Sequence, residues 1–298
     1  MDYKNITVAG SGVLGYQIAF QTAFHGFNVT VYDINDDVLE KAKAKFNDLG
    51  ESYKKDLNAT QQQIDKTAQN LSYISDLAEA VKDADLLIEA VPENPAIKTD
   101  FYKKLAEVAP EKTVFATNSS TLLPSQFAEA TGRPSKFLAL HFANTIWIHN
   151  TAEIMGHATT DHNVFNDVVA FAKAIGMLAL PLHKEQPGYI LNSLLVPLIS
   201  AATRLLVTEV ADPQTIDKTW MKATGAPLGP FAILDVVGIT TAYNIDKIAA
   251  EKTQDELKIK TVNYLKENYI DKNKLGISTG EGFYKYPNPA YKDPDFLT

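Results

Sequence analysis

Three glycines in the run Gly10-Ser11-Gly12-Val13-Leu14-Gly15 have the G-x-G-x-x-G spacing that brings backbone amides up to a diphosphate. The first glycine permits a tight turn, the second lets backbone approach the phosphates, and the third lets helix and strand pack closely. The spacing alone is a weak signal, because glycine turns are common. Its setting strengthens it: the apolar run Ile6-Thr7-Val8-Ala9 leads into it and a helical pattern over residues 13–25 leads out. Val13 and Leu14 then lie where a helix N-terminus meets the anion. The partner of this loop is an acid about 20 residues on, at the end of the second strand, accepting hydrogen bonds from ribose hydroxyls. Asp33 stands there, after Val29-Thr30-Val31-Tyr32, with no arginine beside it to welcome a 2′-phosphate. The pair predicts NAD as cofactor rather than NADP; a helix cap is the competing role for Asp33.

Further polar residues fall at the ends of apolar runs. Asn118-Ser119-Ser120 follows a strand pattern at 113–116, and His141 closes another at 137–141. In open α/β sheets ligands bind outside the carboxyl ends of the strands, which raises Ser120 and His141 as site residues, with a turn hydroxyl and a satisfied structural histidine as their competing roles. Glu153, in Ala152-Glu153-Ile154, is an acid among apolar neighbours, where burial is costly without a partner. A cationic imidazole would satisfy it. His157 and His162 are too far apart for a helical zinc motif, and no other spacing predicts a metal site.

Short apolar runs at 6–9, 28–32, 86–89, 113–116 and 137–141 alternate with helical patterns, as when parallel strands are joined by crossover helices. The expected fold class is α/β, an N-terminal Rossmann-type doubly wound sheet followed by a smaller all-α C-terminal domain. Helices are expected at 13–25 and 35–53, the second opened by Asn35-Asp36-Asp37 with a cap and early acids that suit the helix dipole. The Lys-, Gln- and Asp-rich segment 41–69 predicts an exposed helical pair. The strand pattern stops after Leu178-Ala179-Leu180-Pro181 and Pro187-Gly188 opens a run of helices. The boundary is therefore set near Lys184, giving a dinucleotide-binding domain at 1–184 and a helical substrate and dimerisation domain at 185–298. The helix beginning there is apolar over more of its circumference than one core face needs, which predicts a homodimer. Asn192, Ser193, Pro197, Ser200, Thr203 and Arg204 interrupt it as a membrane span.

With 28 Lys+Arg against 36 Asp+Glu the net charge is −8, which opposes loose binding to nucleic acid or anionic lipid and leaves a small-molecule substrate. There are no cysteines, so disulfides, thiolate metal sites and a cysteine nucleophile are excluded. The first strand begins almost at the first residue, which predicts no signal peptide and a cytoplasmic protein.

Taken together these residues resemble the 3-hydroxyacyl-CoA dehydrogenase family, which includes the 3-hydroxybutyryl-CoA dehydrogenases. Glu89-Ala90-Val91-Pro92-Glu93-Asn94 with Lys98, Asn118-Ser119-Ser120, His141-Phe142 with Asn144, and Glu153 look like successive family motifs in the family's order. Pro187-Gly188-Tyr189-Ile190 with Asn192, Gly229-Pro230-Phe231 with Leu234-Asp235 and Gly238, and the tail from Thr279 to Tyr286 are similar to later ones. The resemblance implies NAD-dependent oxidation of a (3S)-3-hydroxyacyl-CoA, or the reverse. It assigns His141 as general base, Glu153 as its orienting carboxylate, Ser120 and Asn192 to the reacting oxygen, and Glu93, Lys98, Asn118 and Asn144 to the cofactor side. The family usually reads His-Phe-Phe-Asn-Pro; here the run is His141-Phe142-Ala143-Asn144-Thr145, followed by Trp147, and Ser193 replaces a common arginine. These departures fall on the substrate side, and only scattered lysines (Lys41, Lys45, Lys54, Lys55, Lys66) offer charge to CoA phosphates. Two alternatives stay open: a dehydrogenase of a free 3-hydroxy acid of carnitine or gulonate type, and a catalytically silent NAD-binding protein.

Overall fold

A computed structural model describes residues 2–298. The chain divides into two compact units, the first ending at Leu191 and the second running Asn192–Thr298. In the first unit the elements alternate: β1 (Asn5–Ala9), α1 (Gly15–Phe24), β2 (Asn28–Tyr32), α2 (Asp36–Leu57), α3 (Gln61–Gln69), β3 (Leu71–Ile74), α4 (Leu77–Val81), β4 (Leu86–Glu89), α5 (Pro95–Val108), β5 (Val114–Thr117), β6 (Phe137–Phe142), β7 (Thr151–Met155), α6 (His162–Ala174) and β8 (Leu178–Leu182). They form one eight-stranded sheet in the order β3-β2-β1-β4-β5-β6-β7-β8. Strands β1 to β6 are parallel wherever they pair, and the chain reverses only between β6 and β7, which pair antiparallel. The expected doubly wound sheet is present, with its order reversing between β1 and β4, the switch point at which such sheets bind ligands.

The central strands are covered on both faces. All residues of β4, β5 and β6 are buried, so a strand there reads as an apolar run rather than an alternation. The glutamate that ends β4 and the histidine near the end of β6 are exceptions that the core must satisfy. Helix α2 starts at the Asn35 cap, whose side chain accepts from the Val38 amide. It runs to Leu57, four residues past the expected end, and stops where Asn58 takes a left-handed φ of 55°. Thr60 then caps α3 with a reciprocal Gln63 bond. Strands β3 and β7 were not expected: β3 is a four-residue edge strand with Ser72 exposed, and β7 hides an acid among apolar residues.

The second unit is helical: α7 (Tyr189–Val207), whose first three residues belong to the first unit, then α8 (Pro213–Thr224), α9 (Pro230–Val237), α10 (Ile239–Thr253) and α11 (Glu256–Asn268). Its core gathers Ile199, Leu206, Ile216, Phe231, Leu234 and Leu265. Two buried aspartates tie the tail to it. Asp217 accepts from the Phe231 and Ala232 amides and the Tyr284 hydroxyl, and Asp235 from the Phe283 and Tyr284 amides and the Tyr286 hydroxyl. A Cβ on Gly229 would lie 2.2 Å from Asp217, and one on Gly282 2.1 Å from Asp235, so both late motifs are packing requirements. Helix α7 is long and apolar enough to span a membrane by length and composition, yet Ile199, Ala202 and Leu206 on it are buried in this core.

The division into compact units falls seven residues beyond the boundary expected near Lys184, between Leu191 and Asn192. The physical reason is local: the first turn of α7 is bonded to the sheet, as described next.

Candidate active site

The glycine loop fills the turn between β1 and α1. Gly10 has a φ of +100°, and a Cβ there would sit 2.5 Å from the Ala90 carbonyl oxygen on the neighbouring strand end. A Cβ on Gly15 would lie 1.8 Å from the Gly10 oxygen, whereas one on Gly12 would meet nothing within 4 Å. Two glycines therefore close the turn, and the third opens its outer face to a ligand, with Val13 exposed beside it and Leu14 as the cap residue of α1. Asp33, at the end of β2, accepts from the Ser11 amide at 2.7 Å and hydroxyl at 2.6 Å through one oxygen and from the Ile34 amide at 2.8 Å through the other. It thus holds the glycine loop as well as standing where a ribose contact is expected. These residues fit a dinucleotide.

At the end of β4, Glu89 is fully buried and surrounded by donors: Lys98 Nζ at 2.6 Å, the Val91 amide at 2.9 Å, and the Tyr102 and Thr117 hydroxyls, each at 2.8 Å. Lys98 is 1% exposed and reaches Glu93 Oε2 at 3.3 Å. Its place is beneath the site, linking two carboxylates. Glu93 Oε1 in turn accepts from the Ser119 hydroxyl at 2.6 Å, the amides of Ser120 and Thr121, each at 3.1 Å, and the Thr121 hydroxyl at 3.0 Å. Burial pushes the Glu93 carboxyl up, but the Ser119 bond, the Lys98 charge and the Thr121 donors outweigh it and hold it below the usual carboxylate range. The loop carrying exposed Ser120 is therefore wrapped on an ionised Glu93. Asn118 braces that loop to the sheet, its Oδ1 accepting from the Phe142 amide at 3.0 Å.

His141 and Glu153 are direct cross-strand partners in the β6–β7 register. A one-residue slip would turn Glu153 to the other face, so the antiparallel reversal fixes the pair. His141 Nδ1 lies 3.1 Å from Glu153 Oε2, with the residues 6% and 3% exposed. Glu153 Oε1 accepts from the Ile190 and Leu191 amides at 2.8 and 3.0 Å, the unpaired donors of the first turn of α7, where the helix dipole favours a negative charge. Burial raises the Glu153 carboxyl, but the His141 bond and the two amides prevail and bring it below the usual range. Tyr189 stacks on the imidazole, with centroids 4.4 Å apart and planes at 17°, and donates its hydroxyl to the Ser119 carbonyl at 2.7 Å. The ring is held at one nitrogen and one face, an arrangement suited to proton transfer at Nε2. This bonding keeps residues up to Leu191 with the sheet.

The first unit matches the 3-hydroxyacyl-CoA dehydrogenase NAD binding domain over residues 5–186, and the C-terminal domain of the same family matches over residues 188–286. The chain belongs to the 3-hydroxyacyl-CoA dehydrogenase family. This family member is an NAD-dependent oxidoreductase. Human mitochondrial hydroxyacyl-coenzyme A dehydrogenase is 34% identical to it over 289 residues, spanning 95% of this chain and 91% of the human one. Among solved structures, a diketoreductase studied for its dual catalysis of dicarbonyl compounds is 57% identical, with a TM-score of 0.91 over 96% of this chain and 100% of its own. The (S)-3-hydroxybutyryl-CoA dehydrogenase of Ralstonia eutropha is 25% identical, with a TM-score of 0.84 over 96% of this dehydrogenase and 100% of its own.

Among the residues singled out from sequence, the structure gathers Gly10, Gly12, Gly15, Asp33, Glu93, Lys98, Asn118, Ser120, His141, Asn144 and Glu153 at the carboxyl ends of β1, β2 and β4–β6 and in the loops, helix starts and strand beside them. Asn192 is the first residue of the second unit and follows Leu191 in α7. Glu89, Ser119 and Tyr189 stand inside motifs quoted from the sequence but carry no role there, and Gln17 stands in none. Glu89 carried a usable signal, an acid closing an otherwise apolar strand. Trp147, one of the departures read as falling on the substrate side, donates its Nε1 to Asp56 on α2 at 2.9 Å, and its ring packs against Tyr53.

Proposed function

We propose that this dehydrogenase oxidises the C3 hydroxyl of a 3-hydroxyacyl compound to a carbonyl, or reduces it, with His141 as general base and Glu153 as its orienting carboxylate. The observation that carries the reading is the buried His141–Glu153 pair at the carboxyl end of the sheet. Bound NAD supplies the hydride acceptor; the glycine loop, Asp33 and Glu93 are the residues that would hold it. Glu153 keeps Nδ1 protonated, so Nε2 is free to take the hydroxyl proton as the C3–H bond breaks. The ionised carboxylate then stabilises the imidazolium, and in the reverse direction that imidazolium returns the proton. The resemblance gives Ser120 and Asn192 the reacting oxygen.

The acyl carrier has two readings. The curated relatives, among them the human enzyme and a probable 3-hydroxybutyryl-CoA dehydrogenase of Bacillus subtilis, support a (3S)-3-hydroxyacyl-CoA. The second, a compound without CoA, is favoured by the 57% identical diketoreductase and by Ala143, Thr145 and Ser193, where the family pattern differs. Two of the lysines considered for CoA are also engaged, Lys54 by Glu51 at 2.7 Å and Lys45 by the Tyr16 ring. The test is initial rates of NADH formation or consumption with 3-hydroxyacyl-CoA esters, free 3-hydroxy acids and 1,3-dicarbonyl compounds. The higher kcat/KM assigns the carrier, and no turnover of any class overturns the function.

We also propose a homodimer. Leu194 on α7 is 70% exposed in the single chain, with Val196 and Leu205 exposed on the same helix. Sedimentation equilibrium should give twice the chain mass at micromolar concentration, and a stable monomer would refute it.

A further inference from the structure

The segment that follows His141 and Phe142 takes a path that costs backbone strain. Thr145 has a φ of +61°, a region that β-branched residues rarely enter and that proline, with φ near −65°, cannot adopt. Such outliers persist only where surrounding structure over-determines them. Here the Thr145 carbonyl accepts from the Ile148 and His149 amides at 3.0 and 2.9 Å, and the amide side is held by one buried carboxamide. Gln17, on the first turn of the glycine-loop helix α1, accepts through Oε1 from the Thr145 amide at 2.9 Å and the Ile146 amide at 3.4 Å. Through Nε2 it donates to Asn144 Oδ1 at 2.8 Å and to the Val13 carbonyl, inside the glycine motif, at 2.7 Å. Asn144 Oδ1 also accepts from the Thr145 amide at 3.0 Å. The far end of the segment is anchored by Ile146, which is fully buried, and by the Trp147–Asp56 bond.

We propose that Gln17 is a positioning residue that clamps the 143–147 segment to the glycine loop, holding Asn144 and the strained Thr145 backbone in the geometry that hydride transfer needs. The amide that Gln17 receives exists because residue 145 is not proline, so the departure Asn144-Thr145 and the glutamine on α1 form one device. The clamp joins the cofactor loop to the segment leaving His141 without touching the His141–Glu153 pair. The inference rests on the NAD-dependent, His141-assisted reading above.

The test is a double-mutant series. Gln17→Met keeps the side-chain length and removes both ends of the clamp, while Thr145→Gly takes φ +61° without strain. Gln17→Met should lower kcat about 10- to 100-fold, because the buried Ile146 amide loses its acceptor, the Thr145 amide keeps only Asn144 Oδ1, and the strained turn loses a restraint. The KM for NAD should change less than threefold. Adding Thr145→Gly should recover at least threefold of the lost kcat, whereas Thr145→Pro in the parent should lower kcat as much as Gln17→Met does. A second readout is independent of turnover. Trp147 and Trp220 are the two tryptophans, so in a Trp220→Phe background acrylamide quenching reports on this segment. Gln17→Met should raise Trp147 quenching and Thr145→Gly should bring it back. Unchanged quenching and kcat in Gln17→Met, or no recovery by Thr145→Gly, overturns the clamp. If the parent proves inactive on every substrate, the function fails while the quenching series still decides the clamp.

Discussion

Glu153→Gln is an almost isosteric change whose effect follows from counting donors. The carboxylate faces three of them: His141 Nδ1–H, and the Ile190 and Leu191 amides. A carboxamide has one acceptor oxygen and cannot serve both sides. If the oxygen turns to the imidazole, the NH2 group opposes two backbone amides that cannot move out of α7. If the oxygen stays with the amides, the NH2 group opposes only Nδ1–H, and the imidazole can relieve that by moving its proton to Nε2. Each unsatisfied buried donor costs about 1–3 kcal/mol, so the second arrangement wins. The winning arrangement leaves Nε2 protonated and unable to accept the substrate proton. The expected fall in kcat is therefore about 10² to 10⁴, the range for removing a positioned base or presenting its wrong tautomer. The NAD Kd should stay within about threefold, since the glycine loop and Asp33 stand on other strands. Steady-state NADH absorbance and calorimetric NAD titration on the same preparation test this. A Glu153→Gln enzyme within threefold of the parent kcat would refute the donor count and the tautomer argument with it.

Three further outcomes follow from the same geometry. The kcat/KM for NAD should exceed that for NADP by about 10² or more, because one charge at 4 Å from another is worth about 4 kcal/mol near a protein surface; equal values would remove that role from Asp33, whose Asn variant should narrow the ratio. Lys98→Met should lower the melting temperature by about 6–20 °C, since breaking a buried pair costs about 3–5 kcal/mol and each 1 kcal/mol moves a domain of this size about 2–4 °C; a calorimetric shift under 3 °C would show that Glu89 is satisfied by its other three donors. The folded-state pKa of Glu93 lies below its unfolded value, so its contribution to stability is full above about pH 4.3 and is lost as pH falls through the folded value. Melting temperatures measured from pH 6 to 2 should fall less steeply for Glu93→Gln than for the parent, and parallel curves would contradict the ionised Glu93.

Legibility in the sequence followed physical cause. Strands β2 and β4 were readable to the residue, and β1, β5 and β6 to within one, because buried parallel strands are apolar runs bounded by polar turns. Strand β3 was missed because an edge strand need not be apolar, and β7 because a glutamate interrupts its pattern. That same glutamate was recognisable as an acid in need of a cation, yet its partner depends on the antiparallel register of β6 and β7, which no local pattern encodes. Lys98 is set on the cofactor side by the resemblance alone, and its enclosure was not legible because its target, Glu89, lies on a strand, away from α5. Gln17 was invisible for a similar reason: a glutamine on a helix has no signature until the segment at 144–146 is laid against it.

The central claim is that His141 moves the proton while the glycine loop and Asp33 bind the cofactor, and His141→Gln separates the two most directly. The account predicts an NAD Kd within about threefold of the parent and a kcat lowered by about 10² to 10⁴, the usual contribution of a positioned general base. A His141→Gln enzyme as active as the parent, or one that loses NAD binding in proportion to its activity, would show that the His141–Glu153 pair is a structural tie between β6 and β7 and contradict the mechanism.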